Sequence, residues 1–494
     1  MTETSTAAPI ETDAHIDTLV AAAVAAGDRW AATDPAERER IVVAVADALE
    51  ADADRLIPIA RQETNLAEPR LRGELKRTAF QLRLLARVAA AGDHLDVRVD
   101  HPDTDWPMGA PRPDLRRTSV PLGPVVVFGA SNFPFAFSVA GGDTAAALAA
   151  GCPVIYKSHR GHPELSAATA ETVTAALAAH GAPDGLFATV SSQAEGRAAL
   201  AHPDVKAGAF TGGIPGGRAL FDLAQSRPEP IPFYGELGSV NPVFVTEAAA
   251  AGRAQEIVDA FIGSFTLGQG QFCTKPGLLL VPAASSFTDL LRAAALPAGH
   301  RLLNPGIAQG HHQVREELAG RADVSVLAGG GGEVDPPLAT LLSTDVDTLV
   351  AHFDELFVEC FGPTALVVVY RDEAQLLDVA RALDGQLTAT LIAEDDDAIV
   401  GPLATILTRK AGRLLWNQWP TGVSVTYAQQ HGGPYPASTA SGTTSVGTAA
   451  LNRFVRPVAW QGFPQHLLPG ELRDDQTLPA PRRVDGHLEA GSRE

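Results

Sequence analysis

Two doubly wound α/β domains in series, with a β-hairpin arm reaching away from them, is the fold the sequence predicts. Three observations predict it. Short apolar runs alternate with helical stretches between "GPVVVFGA" and "VKAGAFTGG", the rhythm of parallel strands joined by crossover helices. A second alternating set begins at "NPVFVT" and continues through "GLLLVP", "ALVVVY" and "LTATLIA". Ahead of both sets, a Pro-rich excursion is bracketed by the alternating segments "LDVRV" and "LRRTSV", which reads as a long hairpin.

The elements follow in order. Residues 1–12 read as disordered. From Asp13 to about Ala91 apolar residues recur at helical spacing with acidic first turns. The arm comes next. The first strand, "GPVVVFGA", is followed by the helix "SVAGGDTAAALAAG" and the strand "CPVIYKS". A helix near 163–180, the strand "LFATVS" and a helix near 193–201 complete the first set. The stretch after about Pro469 is charged and Pro-rich and reads as a loose tail.

Composition limits the function. At 494 residues the chain is too long for one core. A formal net charge of −20 argues against nucleic acid and anionic membranes as partners. Three cysteines cannot build a disulfide framework in such a chain, which points to a reducing compartment and a cytoplasmic location. The polar, acidic N-terminus has no basic or apolar signal region.

Several stretches could carry chemistry. "GQGQFCTKPG" sets Cys273 among glycines and polar residues; most free cysteines fill cores, but these neighbours suit a nucleophile. After the first strand there is no three-glycine dinucleotide fingerprint; "FGASNFPFAF" stands there instead. Its Asn132 offers an amide to a developing oxyanion, or serves as a turn residue. "VIYKSHRGHP" places Lys157, His159, Arg160 and His162 at a strand's carboxyl end, a cation cluster for an anionic group. No cysteine or carboxylate joins the two histidines, so no metal site is expected, and His311-His312 reads as solvated loop. "FTGGIPGGRAL" is a glycine-rich turn whose amides can approach a phosphate. "YGELGSVNPVFV" carries Glu236 in a polar loop before a strand, where a carboxylate can act as general base. "ECFGPTALVVVY" holds Glu359 and Phe361, while Cys360 and Cys152 read as packing.

The order "SNFP", a strand-end lysine, "FTGG", "GELGS", "GQFC" and "ECFGP" resembles the aldehyde dehydrogenase superfamily. The stretches "FGASNFPFAFSVAGGDTAAALAAGCPVIYKSHRGHP" and "HGGPYPASTASGTTSVGTAALNRFVRPVAWQGFP" are similar to α-ketoglutaric semialdehyde (2,5-dioxopentanoate) dehydrogenases and related NADP-preferring enzymes. The resemblance implies an aldehyde dehydrogenase-like fold that oxidises an aldehyde to a carboxylic acid. A carboxylated semialdehyde is the implied substrate, with a broad or medium-chain aldehyde as alternative. Cys273 is then the nucleophile, Asn132 and the Cys273 N–H hold the oxyanion, and Glu236 activates the hydrolytic water.

The same resemblance implies a cofactor site. Lys157 meets the adenosine ribose with His159 and Arg160 beside it. Phe210, Thr211, Gly212, Gly213 and Gly217 form the pyrophosphate turn, Leu237 and Gly238 line the site, and Glu359 with Phe361 holds the nicotinamide ribose. Two departures stand out. Gly213 replaces a hydroxyl residue, and Arg160 stands where NAD-specific members carry a glutamate. Arginine attracts a ribose 2′-phosphate, so NADP is the expected cofactor, with NAD possible. Lys275 and Arg453 are candidates for the substrate carboxylate; Phe133 and the loop from His431 wall the tunnel.

The implied organisation is a cofactor-binding domain (1–93 and 121–237), an oligomerisation arm (94–120 and 455–470), a catalytic domain (238–454) and a loose tail (471–494). A homo-oligomer, dimer or tetramer, is expected. A CoA-acylating dehydrogenase or a thiol hydrolase is the rival enzyme class, and the retained Glu236 speaks against the former. A non-enzymatic binding protein on the same fold is the other rival.

Overall fold

The computed structural model describes residues 14–475 and 480–489. The disorder expected for residues 1–12 lies outside these. Four helices lead: α1 (Ala14–Ala31), α2 (Pro35–Ala51), α3 (Ala53–Thr64) and α4 (Glu68–Ala91). Proline in its first turn starts α4, and Gly92, left-handed at φ 78°, ends it. The buried face of α4 is mixed: Glu74, Thr78 and Gln81 are buried along with Leu71, Leu75, Leu82 and Leu85.

The arm strands β1 (Val97–Asp100) and β2 (Leu115–Pro121) follow. Next come β3 (Val125–Phe128), α5 (Gly142–Ala149), β4 (Val154–Lys157), α6 (Pro163–Ala179), β5 (Phe187–Val190), α7 (Gln193–Ala201), β6 (Ala207–Thr211), α8 (Ile214–Gln225) and β7 (Phe233–Glu236). These five strands form a parallel sheet in the order β5-β4-β3-β6-β7. The chain reverses direction across the sheet at β3, and crevices at such points bind ligands. Apolar clusters cover both faces: Val125, Val127 and Val154 pack on one side, Val126, Phe128 and Ile155 on the other. Burial on both faces is why these strands read as unbroken apolar runs.

The second sheet contains β8 (Pro242–Val245), β9 (Leu278–Pro282), β10 (Ser325–Gly329), β11 (Thr340–Asp345), β12 (Thr364–Tyr370), β13 (Gln386–Ile392) and β14 (Ala411–Trp416). Helices α9 (Glu247–Thr266), α10 (Phe287–Ala293) and α11 (Pro305–Ala319) are among those that cover it. Its order is β10-β11-β12-β9-β8-β13-β14, and only the β10–β11 pair is antiparallel. The strands β10, β11 and β14 have no counterpart in the sequence reading. Two of them are edge strands, and the burial of β10 and β14 is broken by exposed residues.

The arm sheet corrects one expectation. It is built from β15 (Val455–Gln461), β2, β1, β16 (Arg482–Val484) and β17 (His487–Glu489), in that order. The described part of the supposedly loose tail thus adds two strands to the arm. Pairing with β1 holds β16, and buried Arg116 fastens the segment ahead of it, donating to Asp114, to Asp474 and to the Leu472 carbonyl. The signal was present in "RRVDGHLE", where Asp485 and Gly486 are both left-handed, at φ 48° and 83°, the pair a two-residue hairpin turn requires. No helix among the described residues is long and apolar enough to cross a membrane.

Candidate active site

The two sheets face each other across a cleft. The carboxyl ends of β3, β6 and β7 supply one wall, and the segments entering β8, β9 and β12 supply the other. A cavity of about 290 Å³ between them is lined by Asn132, Phe133, Glu236, Cys273 and Glu359, among others.

Cys273 precedes β9 on a tightly folded loop. Gly268, Gln269 and Gly270 upstream are all left-handed, at φ 57°, 58° and 65°. Only glycine fits at 270, because a Cβ there would lie 2.1 Å from the Gly362 carbonyl oxygen. Asn241 fixes the other side: its Nδ2 donates to the Cys273 carbonyl at 2.8 Å and the Lys275 carbonyl at 3.0 Å. Its Oδ1 accepts from Ser239 and Thr388.

Three titratable groups converge here. Glu236 Oε1 lies 2.9 Å from His431 Nε2, and the same nitrogen lies 3.6 Å from Cys273 Sγ. Ser445 Oγ donates to Glu236 Oε2 at 2.5 Å. The sequence reading put Glu236 in a polar loop; it is instead the last residue of β7 and 4% exposed. Burial pushes its carboxyl up, but the adjacent His431 ring and the Ser445 hydrogen bond outweigh that, so it is held below the usual carboxylate range. The Cys273 thiol is pushed well up, first by burial and then by the Glu236 charge, with Arg413 opposing. The resting pair is therefore a neutral thiol beside a carboxylate base. Glu236, Cys273 and His431 also satisfy a metal-ligand spacing, each offering one ligand atom within 4.8 Å of the others, a cluster the sequence reading did not assemble.

Asn132 is buried beside them. Its Nδ2 donates one hydrogen to the Gln271 carbonyl at 3.1 Å, which leaves the second amide hydrogen available. Phe133 packs edge-on against Phe137 and Phe272.

On the cofactor side, Thr211 ends β6 and Gly212 and Gly213 lead into α8, whose first turn no side chain caps. A Cβ on Gly213 would meet nothing nearer than Pro215 Cδ at 4.0 Å. This open, uncapped helix N-terminus fits a pyrophosphate. Gly217 and Phe210 pack below the turn, where a Cβ at 217 would strike Leu237 at 2.1 Å. A Cβ on Gly238 would lie 2.6 Å from Glu359 Oε2, so a side chain there would displace that carboxylate. Burial pushes the Glu359 carboxyl up to about 7. Phe361 and His159 line the same cavity.

The expected cation cluster at the end of β4 is smaller than its sequence suggests. His159 accepts from the Gly161 N–H through Nδ1, and burial pushes its pKa down to about 3. His162 is fully buried, bonded to the Ala130 carbonyl and Ser166. Both imidazoles are neutral, so the charge there belongs to half-buried Lys157 and exposed Arg160. His311 is not solvated either: it is buried in α11 with Nε2 2.9 Å from Thr364 Oγ1.

Two expected substrate contacts are corrected. Lys275 is buried, and its Nζ donates to the carbonyls of Cys360 (2.6 Å), Gly362 (3.2 Å) and Thr364 (2.7 Å). An ammonium has three donors, and all are taken. Lys275 instead clamps the nucleophile loop to the loop carrying Glu359 and Phe361. Lys275→Met is therefore expected to raise the KM for the dinucleotide more than the KM for aldehyde. An equal rise in both would contradict the clamp. Arg453 is buried in an ion pair with Asp143 at 2.7 Å, over the Tyr234 and Phe454 rings, away from the cavity. His431 is buried behind the cavity, against Glu236 and Cys273, and is not among the residues that line it.

A half-buried cysteine lies beside a carboxylate and an amide with a spare hydrogen, in a cleft between two α/β sheets that also holds an open helix N-terminus. Comparison with known proteins gives the family. The profile of the aldehyde dehydrogenase family matches residues 2–457, and the chain belongs to that family. It is 41% identical over 483 residues to an α-ketoglutaric semialdehyde dehydrogenase of Acinetobacter baylyi, covering 96% of this chain and 91% of the relative. It is 44% identical over 472 residues to α-ketoglutaric semialdehyde dehydrogenase 2 of Azospirillum brasilense, covering 94% and 89%. Among solved structures, the NADP-dependent glyceraldehyde-3-phosphate dehydrogenase from Bacillus halodurans complexed with NADP superposes with a TM-score of 0.75 at 19% identity, covering 90% of this chain and 91% of that one. The 1-pyrroline-5-carboxylate dehydrogenase from Thermus with bound NAD does so with a TM-score of 0.75 at 20% identity, covering 91% and 86%. At these identities the structures speak to the fold alone.

Proposed function

We propose that the protein oxidises 2,5-dioxopentanoate to 2-oxoglutarate with NADP as the preferred cofactor. The observation that carries the chemistry is the contact set of Cys273, His431 and Glu236 beside Asn132 in one cavity. The identity to the two semialdehyde dehydrogenases supports the substrate.

Cys273 gives up its proton to solvent, and the thiolate adds to the aldehyde carbon. The oxyanion is held by the free Asn132 amide hydrogen and the Cys273 N–H; each such donor contributes about 3 kcal/mol. A nicotinamide cofactor bound there would supply the acceptor for the hydride lost as this adduct becomes a thioester. Glu236 then takes a proton from water as the water attacks the acyl carbon, and the thiolate leaves. The Ser445 hydrogen bond keeps the carboxylate aimed. Lys157, Arg160, the α8 N-terminus and Glu359 with Phe361 hold the cofactor.

Absorbance at 340 nm with NADP and a panel of 2,5-dioxopentanoate, succinic semialdehyde and medium-chain aldehydes tests the reading. The highest kcat/KM is expected for 2,5-dioxopentanoate; a preference for an uncharged aldehyde would contradict it. Arg160→Glu is expected to lower kcat/KM for NADP by about 10- to 100-fold, the worth of one or two charge-assisted hydrogen bonds, with little change for NAD. An unchanged NADP-to-NAD ratio would remove Arg160 from that role. Because β15 is a mostly exposed edge strand paired only with β2, we also read the arm as a subunit-pairing element. Light scattering should give the mass of two or four copies; a monomer at working concentration would contradict it.

A further inference from the structure

Residues 129–141 join β3 to α5 without helix or strand, yet Asn132, Phe135 and Ala136 are buried. Buried backbone groups on such a segment need partners from elsewhere, and α4 supplies them. Arg70 and Glu74 lie one turn apart on that helix and share a face. Glu74 Oε1 accepts from the Phe135 and Ala136 amides at 2.8 and 3.0 Å. Arg70 Nη2 donates to the Asn132 carbonyl at 3.0 Å. The two side chains thus hold both ends of the segment 132–136.

Arg70 reaches the nucleophile loop as well. Its guanidinium lies 4.7 Å from the centres of both the Phe133 and Phe272 rings, and those rings meet edge-on at 5.2 Å. Phe272 directly precedes Cys273. A Cβ added to Gly268 on the same loop would lie 2.8 Å from Arg70 Nη1, so the guanidinium packs against that backbone. A guanidinium suits this place, because its plane stacks on aromatic rings while its edge donates. The nearby carboxylate does not fix its direction: Glu74 Oε2 is 3.8 Å from Nη2 and has no hydrogen-bond partner among the described residues. Arg70 is not among the residues that line the cavity holding Cys273. Its contacts are with the residue whose amide would hold the oxyanion and with the residue beside the thiol.

We propose that Arg70 is a positioning residue, which sets the Asn132 amide against Cys273 by holding the oxyanion loop to the nucleophile loop, while Glu74 anchors the far end of the oxyanion loop. The inference rests on the reading of Asn132 as an oxyanion donor.

The test is a double-mutant cycle on the full-length chain, run with whichever aldehyde of the panel wild type oxidises fastest. Asn132→Ala is expected to lower kcat by about 10²- to 10³-fold, the worth of one oxyanion donor. Arg70→Met is expected to lower kcat by about 10- to 100-fold, the cost of a misplacement of about 1 Å. The KM for aldehyde should stay within about 3-fold, because the oxyanion exists only beyond the ground state. In the Asn132→Ala background the Arg70→Met change should cost less than about 3-fold, since the group it places is gone. Losses that multiply would overturn the clamp and leave Arg70 as a structural residue of α4. Alkylation of Cys273 by iodoacetamide reads the thiolate and forms no oxyanion, so Arg70→Met should leave it within about 3-fold. A fall in alkylation parallel to kcat would place the action of Arg70 on the thiol and overturn the proposal. Arg70→Lys keeps a donor for the Asn132 carbonyl but loses the plane that spans the two rings; a loss of about 3- to 10-fold is expected, again absent without Asn132. Where Arg70→Met does not fold, the cycle with Arg70→Lys decides. Full activity in both Arg70 variants would overturn the proposal. A small loss in Asn132→Ala itself would overturn the oxyanion reading and the clamp with it; a full loss there, multiplied by the Arg70 loss, would overturn the clamp alone.

Discussion

Cys273→Ala is expected to abolish oxidation of every aldehyde, with a loss on the order of 10⁵- to 10⁶-fold in kcat, as for other enzymes stripped of their nucleophile. No other cysteine can substitute. Cys152 is fully buried, its Sγ 3.2 Å from the Phe454 carbonyl, and burial pushes its thiol up to about 11. Cys360 is buried against the His311 carbonyl at 3.9 Å. Neither sulfur belongs to a residue that lines the cavity holding Asn132 and Cys273. The variant should still bind dinucleotide, since Cys273 contributes nothing to the α8 turn or to Glu359. The check is steady-state absorbance at 340 nm beside a dinucleotide titration followed by protein fluorescence. Residual turnover above about one part in 10³ would place the nucleophile elsewhere.

Glu236→Gln is expected to separate the two halves of the reaction. Deacylation needs a base for water, and a loss of about 10²- to 10⁴-fold in steady-state kcat is the usual worth of that role. The first turnover should persist as a burst of reduced cofactor. The electrostatics add a second expectation. The Glu236 charge helps hold the Cys273 thiol up, so neutralising it lowers the thiol pKa and raises the thiolate fraction at a given pH. Alkylation by iodoacetamide at pH 8 should therefore be faster in Glu236→Gln than in wild type. Slower alkylation would mean that Glu236 acts on the thiol mainly by removing its proton.

The pH profile of the wild type follows from the same residues. Glu236 is held below the ordinary carboxylate range. Its basic form is present above that lowered value and is lost as the pH falls through it. The acid limb of kcat is thus expected below about 4.5, where an unperturbed glutamate titrates. An acid limb near 7 would show that the His431 contact does not hold the carboxylate ionised.

Four of the five strands of the first sheet were legible in the sequence because strands buried on both faces leave apolar runs, whereas β7, "FYGE", carries a glycine and a glutamate and was read as a polar loop. The hidden strands β10 and β14 are half-exposed edges, and β16 and β17 are three residues each, too short for periodicity to register. The residues of the site that sit in distinctive glycine-rich stretches were also legible: Asn132, Glu236, Cys273 and Glu359 all reach one cavity. What was not legible was partnership. Nothing local in "CTKPG" reports that three carbonyls from a loop about 90 residues away consume the Lys275 ammonium. Nothing in "LNRFVRP" reports Asp143. Likewise Ser445 and Asn241 lie far along the chain from Cys273, and no motif joined them to it.

The central claim is that Cys273 carries an acyl group which Glu236 clears. Intact-protein mass spectrometry of Glu236→Gln, quenched in acid after mixing with NADP and 2,5-dioxopentanoate, tests it most directly. One acyl group per chain, mapped to the peptide containing Cys273 and released by hydroxylamine, is the expected result. A full burst with no adduct, or an adduct on Cys152 or Cys360, would contradict the account.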